Sequence, residues 1–309
     1  MTERDTRRRF LTVGGGLATL ALAGCLGDAG SDGGTDDGMS DGDGMDGGDG
    51  MNDSESGGMN DSESDEMGDD EMGDDATSDT ATVRVRVENV APADFYPADT
   101  STDGAVWLTP GAYAVHSGEN PIYELGEPAS IGLEALAEAG PPTGFEGEDG
   151  LVDELDASTA VDRSGAYTPA DTVADPNDPT GEVPGAPPIA PGGAFEFEAD
   201  VAPGQRLSFA SMFVPSNDVF VSTETSGIAL WPEDGEPVDG DVTDGVALFD
   251  AGTEPNAEAP GTGPDQAPAQ DAPDQGADED GTVRRLSAVD DGHEYPAVED
   301  VVQVTVTPR

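Results

Sequence analysis

The chain has 309 residues, of which 67 are acidic and 11 basic, giving a formal net charge of -56 and a pI of about 4.1. All the basic residues are arginine and none is lysine. This charge argues against nucleic acids and anionic lipids as partners, because both would be repelled. At about 1 M salt the Debye length falls to roughly 3 Å and screens the self-repulsion, so the composition indicates a protein adapted to concentrated salt.

The N-terminus carries the features of an export signal. Residues 6–12 read TRRRFLT, an apolar run follows, and the sequence LAGC ends at Cys25. This pattern is typical of a signal peptide and is too short for a spanning helix. It resembles a lipoprotein signal, so we predict a twin-arginine signal peptide at 1–24, a lipidated Cys25, and a mature protein anchored to the outer face of the cell membrane. The alternative is an ordinary secreted protein with an incidental cysteine.

Residues 25–80 are predicted to be a disordered acidic tether rich in Gly, Asp and Met. The motif GMNDSES occurs at 50–56 and again at 58–64, and no basic residue lies in the segment. So few apolar residues do not offset the cost of ordering a chain, about 1 to 2 kcal/mol per residue. The alternative for the spaced methionines and acids is a scavenger of Cu(I) or divalent cations.

Residues 81–309 are predicted to form a single folded domain. Seven stretches have the apolar pattern of β-strands. They are 82–90, 105–115 with a break at Pro110 and Gly111, 195–198, 207–214, 219–221, 246–249 and 301–307. A helix is predicted over 130–139, with Ser130 as its cap and Gly140 after its end, and 151–155 adds a further turn.

Two long loops interrupt this predicted domain. Residues 171–193 are rich in proline, and residues 255–281 are nearly all Pro, Asp, Gln, Ala and Gly. Loops of this length without secondary structure are usually functional or disordered. For 255–281 the composition favours an acidic, salt-adapted insertion, and a functional loop is the alternative.

The residue types that enzymes use most often are scarce. With only His116 and His293 in the chain, we interpret His116 as a structural hydrogen-bonding residue rather than a ligand. No nucleophile-elbow sequence is present, which argues against a serine hydrolase. The single cysteine excludes an intramolecular disulfide, and its place in the signal excludes a cysteine-ligated copper centre. A glycosidase pair of acids is harder to exclude, because 67 acids place some pair close together by chance.

Three acids follow the most apolar strands of the sequence. Asp218 ends the turn after the stretch 207–214, Asp250 ends the stretch 246–249, and Glu254 follows four residues later. Carboxylates that converge at strand ends are candidate ligands for a hard cation.

The segments VPSNDVFVS (214–222) and DAGTE (250–254) resemble two motifs of the spondin N-terminal domain family. The resemblance extends upstream to 107–140 and 192–212. Members of this family are C2-like antiparallel β-sandwiches that bind calcium, and the resemblance implies that fold, all-β, for residues 81–309.

By the same resemblance, the calcium ligands of this chain would be Asp218, Asp250 and Glu254. Animal members of the family have Asp where this chain has Glu254, which is one methylene longer, and they carry disulfides that this chain lacks. The resemblance therefore predicts a non-catalytic cell-surface lipoprotein whose calcium-braced domain binds an extracellular protein or glycan. The alternative is an envelope-associated hydrolase that acts on surface glycans.

Overall fold

The structure, a computed structural model, describes residues 80–145, 147–168, 171–174 and 188–309. All of them belong to one compact unit, Ala76–Arg309. The predicted signal peptide, the predicted lipidation of Cys25 and the predicted tether up to residue 79 lie outside the described residues. Within the described ranges, no helix has the length and apolar character needed to cross a membrane.

The described residues form twelve strands, two α-helices and three short 3-10 helices. The strands are β1 (Ala81–Asn89), β2 (Trp107–His116), β3 (Val161–Tyr167), β4 (Thr172–Ala174), β5 (Ala194–Val201), β6 (Arg206–Val214), β7 (Val219–Thr223), β8 (Ile228–Ala229), β9 (Gly240–Asp241), β10 (Val246–Asp250), β11 (Arg284–Arg285) and β12 (Val302–Pro308). The α-helices are α1 (Ile131–Ala139) and α2 (Leu151–Ala157). The 3-10 helices are Thr243–Gly245, Leu286–Ala288 and Val298–Asp300.

The strands form two antiparallel sheets. The smaller sheet has the order β4-β5-β1-β12-β9. The larger sheet has the order β11-β10-β7-β6-β2-β3, and β8 pairs with β6 beside it. Two antiparallel sheets thus make up the domain, with only two short α-helices beside them. The prediction of an all-β antiparallel sandwich with one or two short helices is confirmed.

The main core lies between the two sheets. Val85 of β1 and Phe195 of β5 come from the smaller sheet, and Phe209 of β6 and Tyr167 of β3 come from the larger one, all of them fully buried. The Tyr167 ring centre is 5.3 Å from that of Phe195 and 6.5 Å from that of Phe209. Side chains alternate across each strand, so one face of each sheet supplies this apolar layer.

A second apolar layer covers the larger sheet from outside. Leu133 and Leu136 of α1 pack in the same cluster as Phe220 of β7 and Phe249 of β10. Helix α1 begins after Ser130, whose Oγ accepts a hydrogen bond from the Leu133 backbone at 3.2 Å, and it ends at Gly140 in the left-handed region. The predicted helix and both of its end signals are confirmed. This packing brings the C-terminal turn of α1 towards the loop that follows β10.

The structure differs from the predicted strands in two respects. Strand β2 continues through Pro110 and Gly111, where a break was predicted, because a register shift against β6 between Leu108 and Gly111 accommodates the proline. Strands β3, β4, β8, β9 and β11 were not predicted. Strand β3 reads VDRSGAY and lies at a sheet edge, where most of its residues are half-buried or exposed, so it lacks the apolar pattern that marks the longer predicted strands.

Candidate metal centre

Antiparallel pairing of β7 with β10 brings Asp218 and Asp250 together, because the first residue of β7 lies beside the last residue of β10. Asp218 is the last residue of the turn between β6 and β7, and Asp250 is the last residue of β10. In the register of the pair, Asp250 lies opposite Val219, the residue after Asp218. The Ala251 backbone N–H also donates to the Asp218 carbonyl at 3.1 Å. Acids 32 positions apart in the sequence are therefore neighbours in the fold.

The Asp218 carboxylate organises the loop that contains Glu254. Its Oδ2 accepts hydrogen bonds from the backbone N–H groups of Thr253 at 2.8 Å and Glu254 at 3.2 Å. Glu254 is in turn held by Asn217, whose Nδ2 donates to Glu254 Oε2 at 3.2 Å. The structure thus brings all three sequence-predicted acids to one junction between the β6–β7 turn and the loop after β10.

All three acids are buried, and one carboxylate oxygen of Asp218 makes no hydrogen bond. Asp218 and Asp250 have no solvent-exposed surface, and Glu254 is 4% exposed. Asp218 Oδ1 is buried and has no hydrogen-bond partner. Burial, followed by the charge of Asp250, raises the pKa of Asp218, and burial raises the pKa of Glu254 to about 7. A buried carboxylate oxygen without a donor or a counter-ion is costly, so this site favours the arrival of positive charge.

Asp250 differs from the other two acids because it has a cationic partner. Its Oδ1 lies 3.0 Å from Arg284 Nε, which makes an ion pair although the angle does not make it a hydrogen bond. Its Oδ2 accepts hydrogen bonds from Asn256 Nδ2 at 2.6 Å and Arg284 Nη2 at 3.2 Å. Burial raises the pKa of Asp250, and Arg284 opposes that rise. Arg284 also pairs with Glu279 at 3.4 Å.

A fourth buried acid, Glu138, was missed by the sequence reasoning. It lies in the last turn of α1 and is 5% exposed. Burial raises its pKa to about 9, a hydrogen bond from the Thr253 side chain opposes the rise, and the charge of Glu254 adds to it. Nothing in the sequence indicated that Glu138 would be buried, because an acid in a helix is usually exposed. It becomes buried only because α1 packs on the sheet.

Residues 255–281, here called the cover loop, pack on this site. Gln266 is 1% exposed, and its Nε2 donates to Asn217 Oδ1 at 3.0 Å. Its Oε1 accepts from the Gly261 backbone N–H at 2.7 Å. A Cβ at Gly276 would lie 2.7 Å from Cδ of Glu254, so the loop backbone touches that carboxyl group. The cover loop is held by side-chain amides and by Ala267, which bridges to the Ser216 backbone and packs with Met212 and Val214. Few large apolar residues take part, which explains why its composition resembled a surface insertion.

The carboxylates at this site supply only part of the ligand shell that a hard cation requires. No group of three or more His, Cys, Asp or Glu side chains in the described ranges is arranged to hold a metal ion. Calcium accepts 6 to 8 oxygen ligands and commonly takes backbone carbonyls and water besides carboxylates. The free, buried Oδ1 of Asp218 is the atom that fits such an ion best. Asp250 is shared with Arg284.

Neither histidine hydrogen-bonds to the three acids, although His293 Nε2 lies 3.2 Å from the carbonyl of Asn256, the residue whose side chain donates to Asp250. His116 is fully buried, with Nδ1 3.1 Å from the Gly118 carbonyl and Nε2 2.8 Å from Ser208 Oγ. Burial lowers its pKa. Both of its ring nitrogens are thus engaged, which confirms the interpretation of His116 as a structural residue. The Ser208–His116 contact was not predicted, and because Ser208 is also fully buried, its hydroxyl is not accessible to a substrate in this structure.

No protein-family model and no curated protein sequence matches the chain. The resemblance to spondin N-terminal domains therefore stays a prediction from the two motifs. The functional argument depends on the geometry of the buried acids.

Proposed function

We propose that this chain is a non-catalytic cell-surface lipoprotein whose C2-like, spondin-type domain binds an extracellular protein or glycan and is braced by calcium. Asp218, Asp250 and Glu254 are the proposed acidic ligands. The observation that carries the proposal is the Oδ1 atom of Asp218, which is buried beside two further acids and has no hydrogen-bond partner.

Calcium suits this site better than magnesium does. Calcium tolerates an irregular shell of carboxylates, carbonyls and water, whereas magnesium requires a near-octahedral shell and gives up its water reluctantly. The loops at this junction offer backbone carbonyls next to the acids, and the neutral amide of Asn217 already orients Glu254. When bound, the ion would supply positive charge to acids that are otherwise costly to ionise.

The proposed role of the ion is structural. Asp218 belongs to the β6–β7 turn, and Glu254 to the loop after β10, where it contacts the cover loop through Gly276. One ion between them would fix three segments at the same end of the sandwich. Loops held in this way form a stable surface for recognition, and the partner class, an extracellular protein or glycan, is argued from the spondin resemblance.

Direct calcium binding tests this proposal. We expect equilibrium dialysis of the full chain against radioactive calcium at molar KCl to give one tightly bound ion per chain. Asp218→Asn should abolish this binding, because it removes the charge of the unpartnered carboxylate while keeping its size. Asp234→Asn, at an exposed acid of the loop after β8, removes the same charge and should bind calcium like the wild type.

Two outcomes of that experiment count against the proposal. The first is a wild-type chain that binds no calcium, and the second is equal loss of binding in both variants. Turnover of chromogenic glycosides or esters that disappears in Asp218→Asn would assign the chain to hydrolases instead.

The proposed anchor is tested separately. Cys25→Ser removes the thiol that would carry the lipid, so we expect the variant to appear in the medium or to stay unprocessed, while the wild type fractionates with membranes. Equal distribution of the two proteins between membrane and medium would contradict lipidation and leave the calcium proposal unaffected.

A further inference from the structure

A buried chain of hydrogen bonds begins at His116 and runs from β2 through β6 to β7. His116 Nε2 lies 2.8 Å from Ser208 Oγ, and the Thr223 hydroxyl donates to the same oxygen at 3.2 Å. The Asn120 side-chain amide donates to Thr223 Oγ1 at 3.2 Å. Asn120 is 7% exposed, and the other three residues have no exposed surface. Water therefore does not replace a partner that one of these groups loses.

The direction of this chain is determined by His116. Its Nδ1 lies 3.1 Å from the Gly118 carbonyl, and because a carbonyl only accepts hydrogen bonds, the proton of the neutral ring is on Nδ1. Nε2 is then an acceptor, and the Ser208 hydroxyl donates to it. Ser208 in turn accepts from Thr223, and Thr223 accepts from Asn120. Every donor in the chain points towards His116.

A proton on Nε2 would reverse the chain. Nε2 would become a donor, so the Ser208 hydroxyl would have to turn towards Thr223. The Thr223 hydroxyl would then need a new acceptor, because the Asn120 amide nitrogen only donates. Among the described residues, the side-chain oxygen of Thr223 forms hydrogen bonds only with Ser208 and Asn120. Protonation would therefore leave a buried polar group without its partner, which is costly.

The charges around His116 oppose the same protonation. Arg206 of β6 lies directly opposite His116 in the register of β2 with β6, so an imidazolium would face a guanidinium across the strand pair. Asp162 and Glu119 are the acids whose charge reaches the ring, and both are exposed. At about 1 M salt such charges are screened within roughly 3 Å. Glu224, on the adjoining turn, is engaged in an ion pair with an arginine of β11.

His116 and its partners also hold the β7–β8 turn, residues 224–227. Gly227 packs directly on the imidazole, because a Cβ at this position would lie 2.9 Å from Nε2. The backbone N–H of Asn120 donates to the Thr225 carbonyl at 2.8 Å. The turn thus covers the ring, and water reaches Nε2 only when the turn moves away.

We propose that neutral His116 is an acid-sensitive latch, so that the β7–β8 turn stays closed while Nε2 accepts from Ser208 and opens when Nε2 takes up a proton. An open turn admits water, which hydrates the imidazolium and supplies new partners to the hydroxyl groups. This inference is independent of the proposed calcium site. The latch lies at the opposite end of β7 from Asp218, because Thr223 ends that strand and Asp218 precedes it.

The test is hydrogen exchange of single backbone amides in the full chain at molar KCl, from about pH 7.5 to about pH 5.5. A free histidine has a pKa of about 6.5, so below that pH the open turn binds a proton that the closed turn does not. We expect the protection factor of the Asn120 amide to fall by up to about tenfold per pH unit below pH 6.5. Amides of β1 should keep their protection, because the opening is local.

Two variants assign the effect to His116. His116→Gln does not titrate and keeps an acceptor oxygen for Ser208, so its Asn120 protection factor should not depend on pH. His293→Gln is the matched control and should behave like the wild type.

The latch is overturned if the wild-type protection factor does not depend on pH, or if His116→Gln shows the same dependence. If His116→Gln does not fold, nitrogen NMR of the wild-type imidazole decides. A doubly protonated ring while the Asn120 amide is still protected overturns the inference, and a ring that is neutral wherever that amide is protected supports it.

Discussion

Removing calcium from the full chain at constant molar salt should lower its Tm by about 5 to 10 °C. An ion that binds only the native state, at about 100 times its dissociation constant, adds roughly 2.7 kcal/mol to the free energy of unfolding. For a domain of this size, 1 kcal/mol corresponds to about 2 to 4 °C. Differential scanning calorimetry with and without a calcium chelator measures the shift, and the KCl concentration is matched so that surface screening stays constant.

Matched variants show whether this effect arises at the proposed site. Asp218→Asn should lose the response to calcium and should be no less stable than the metal-free wild type, because the asparagine carries no buried charge. Asp234→Asn should keep the full calcium response. Both variants should keep the response to KCl, which depends on the acidic surface as a whole. A wild-type Tm that does not change on chelation would contradict the calcium site, even with the fold unchanged.

Arg284→Met should destabilise the metal-free protein by about 3 kcal/mol. The substitution leaves the Asp250 carboxylate, which has no exposed surface, without the guanidinium that neutralises it. Breaking a buried ion pair from one side costs about 3 to 5 kcal/mol, and the lower end applies because the Arg284 side chain is 36% exposed. Urea unfolding with chelator present measures the loss. Arg163→Met, at an exposed arginine, is the control and should change stability by less than about 0.5 kcal/mol.

A second substitution and the ion itself distinguish the causes of this loss. Asp250→Asn in the Arg284→Met background should recover most of the stability, because the unpaired charge is gone. Saturating calcium should also recover part of it in the single variant, since the ion is the other positive charge available to Asp250. If metal-free Arg284→Met is as stable as the wild type, Arg284 is not the counter-ion of Asp250.

The strands that build the sandwich could mostly be read from the sequence, because half-buried strands alternate apolar and polar residues. Strand β1 shows this alternation, and its buried residues face the core as expected. Strand β3 could not be predicted, because it is an edge strand with Asp, Arg and Gly among its residues. Its place is determined by pairing with β2, which is a long-range contact that leaves no local pattern.

The candidate site was predictable only where its residues follow strands. Asp218, Asp250 and Glu254 stand at the ends of apolar runs, and the pairing of β7 with β10 brings them together. Glu138 and Gln266 carry no such signal. Each is a polar residue in a polar context, and each becomes buried only when α1 and the cover loop pack over the junction.

The central claim, a cation held at the buried acids, is tested most directly by locating the ion. Crystals of the full chain grown with calcium at high salt should show an anomalous difference peak about 2.3 to 2.6 Å from Asp218 Oδ1, the usual calcium–oxygen distance. A carboxylate oxygen of Glu254 should lie in the same shell. Well-ordered density in which Asp218 Oδ1 contacts only water or protein, with no anomalous peak beside it, would contradict the account.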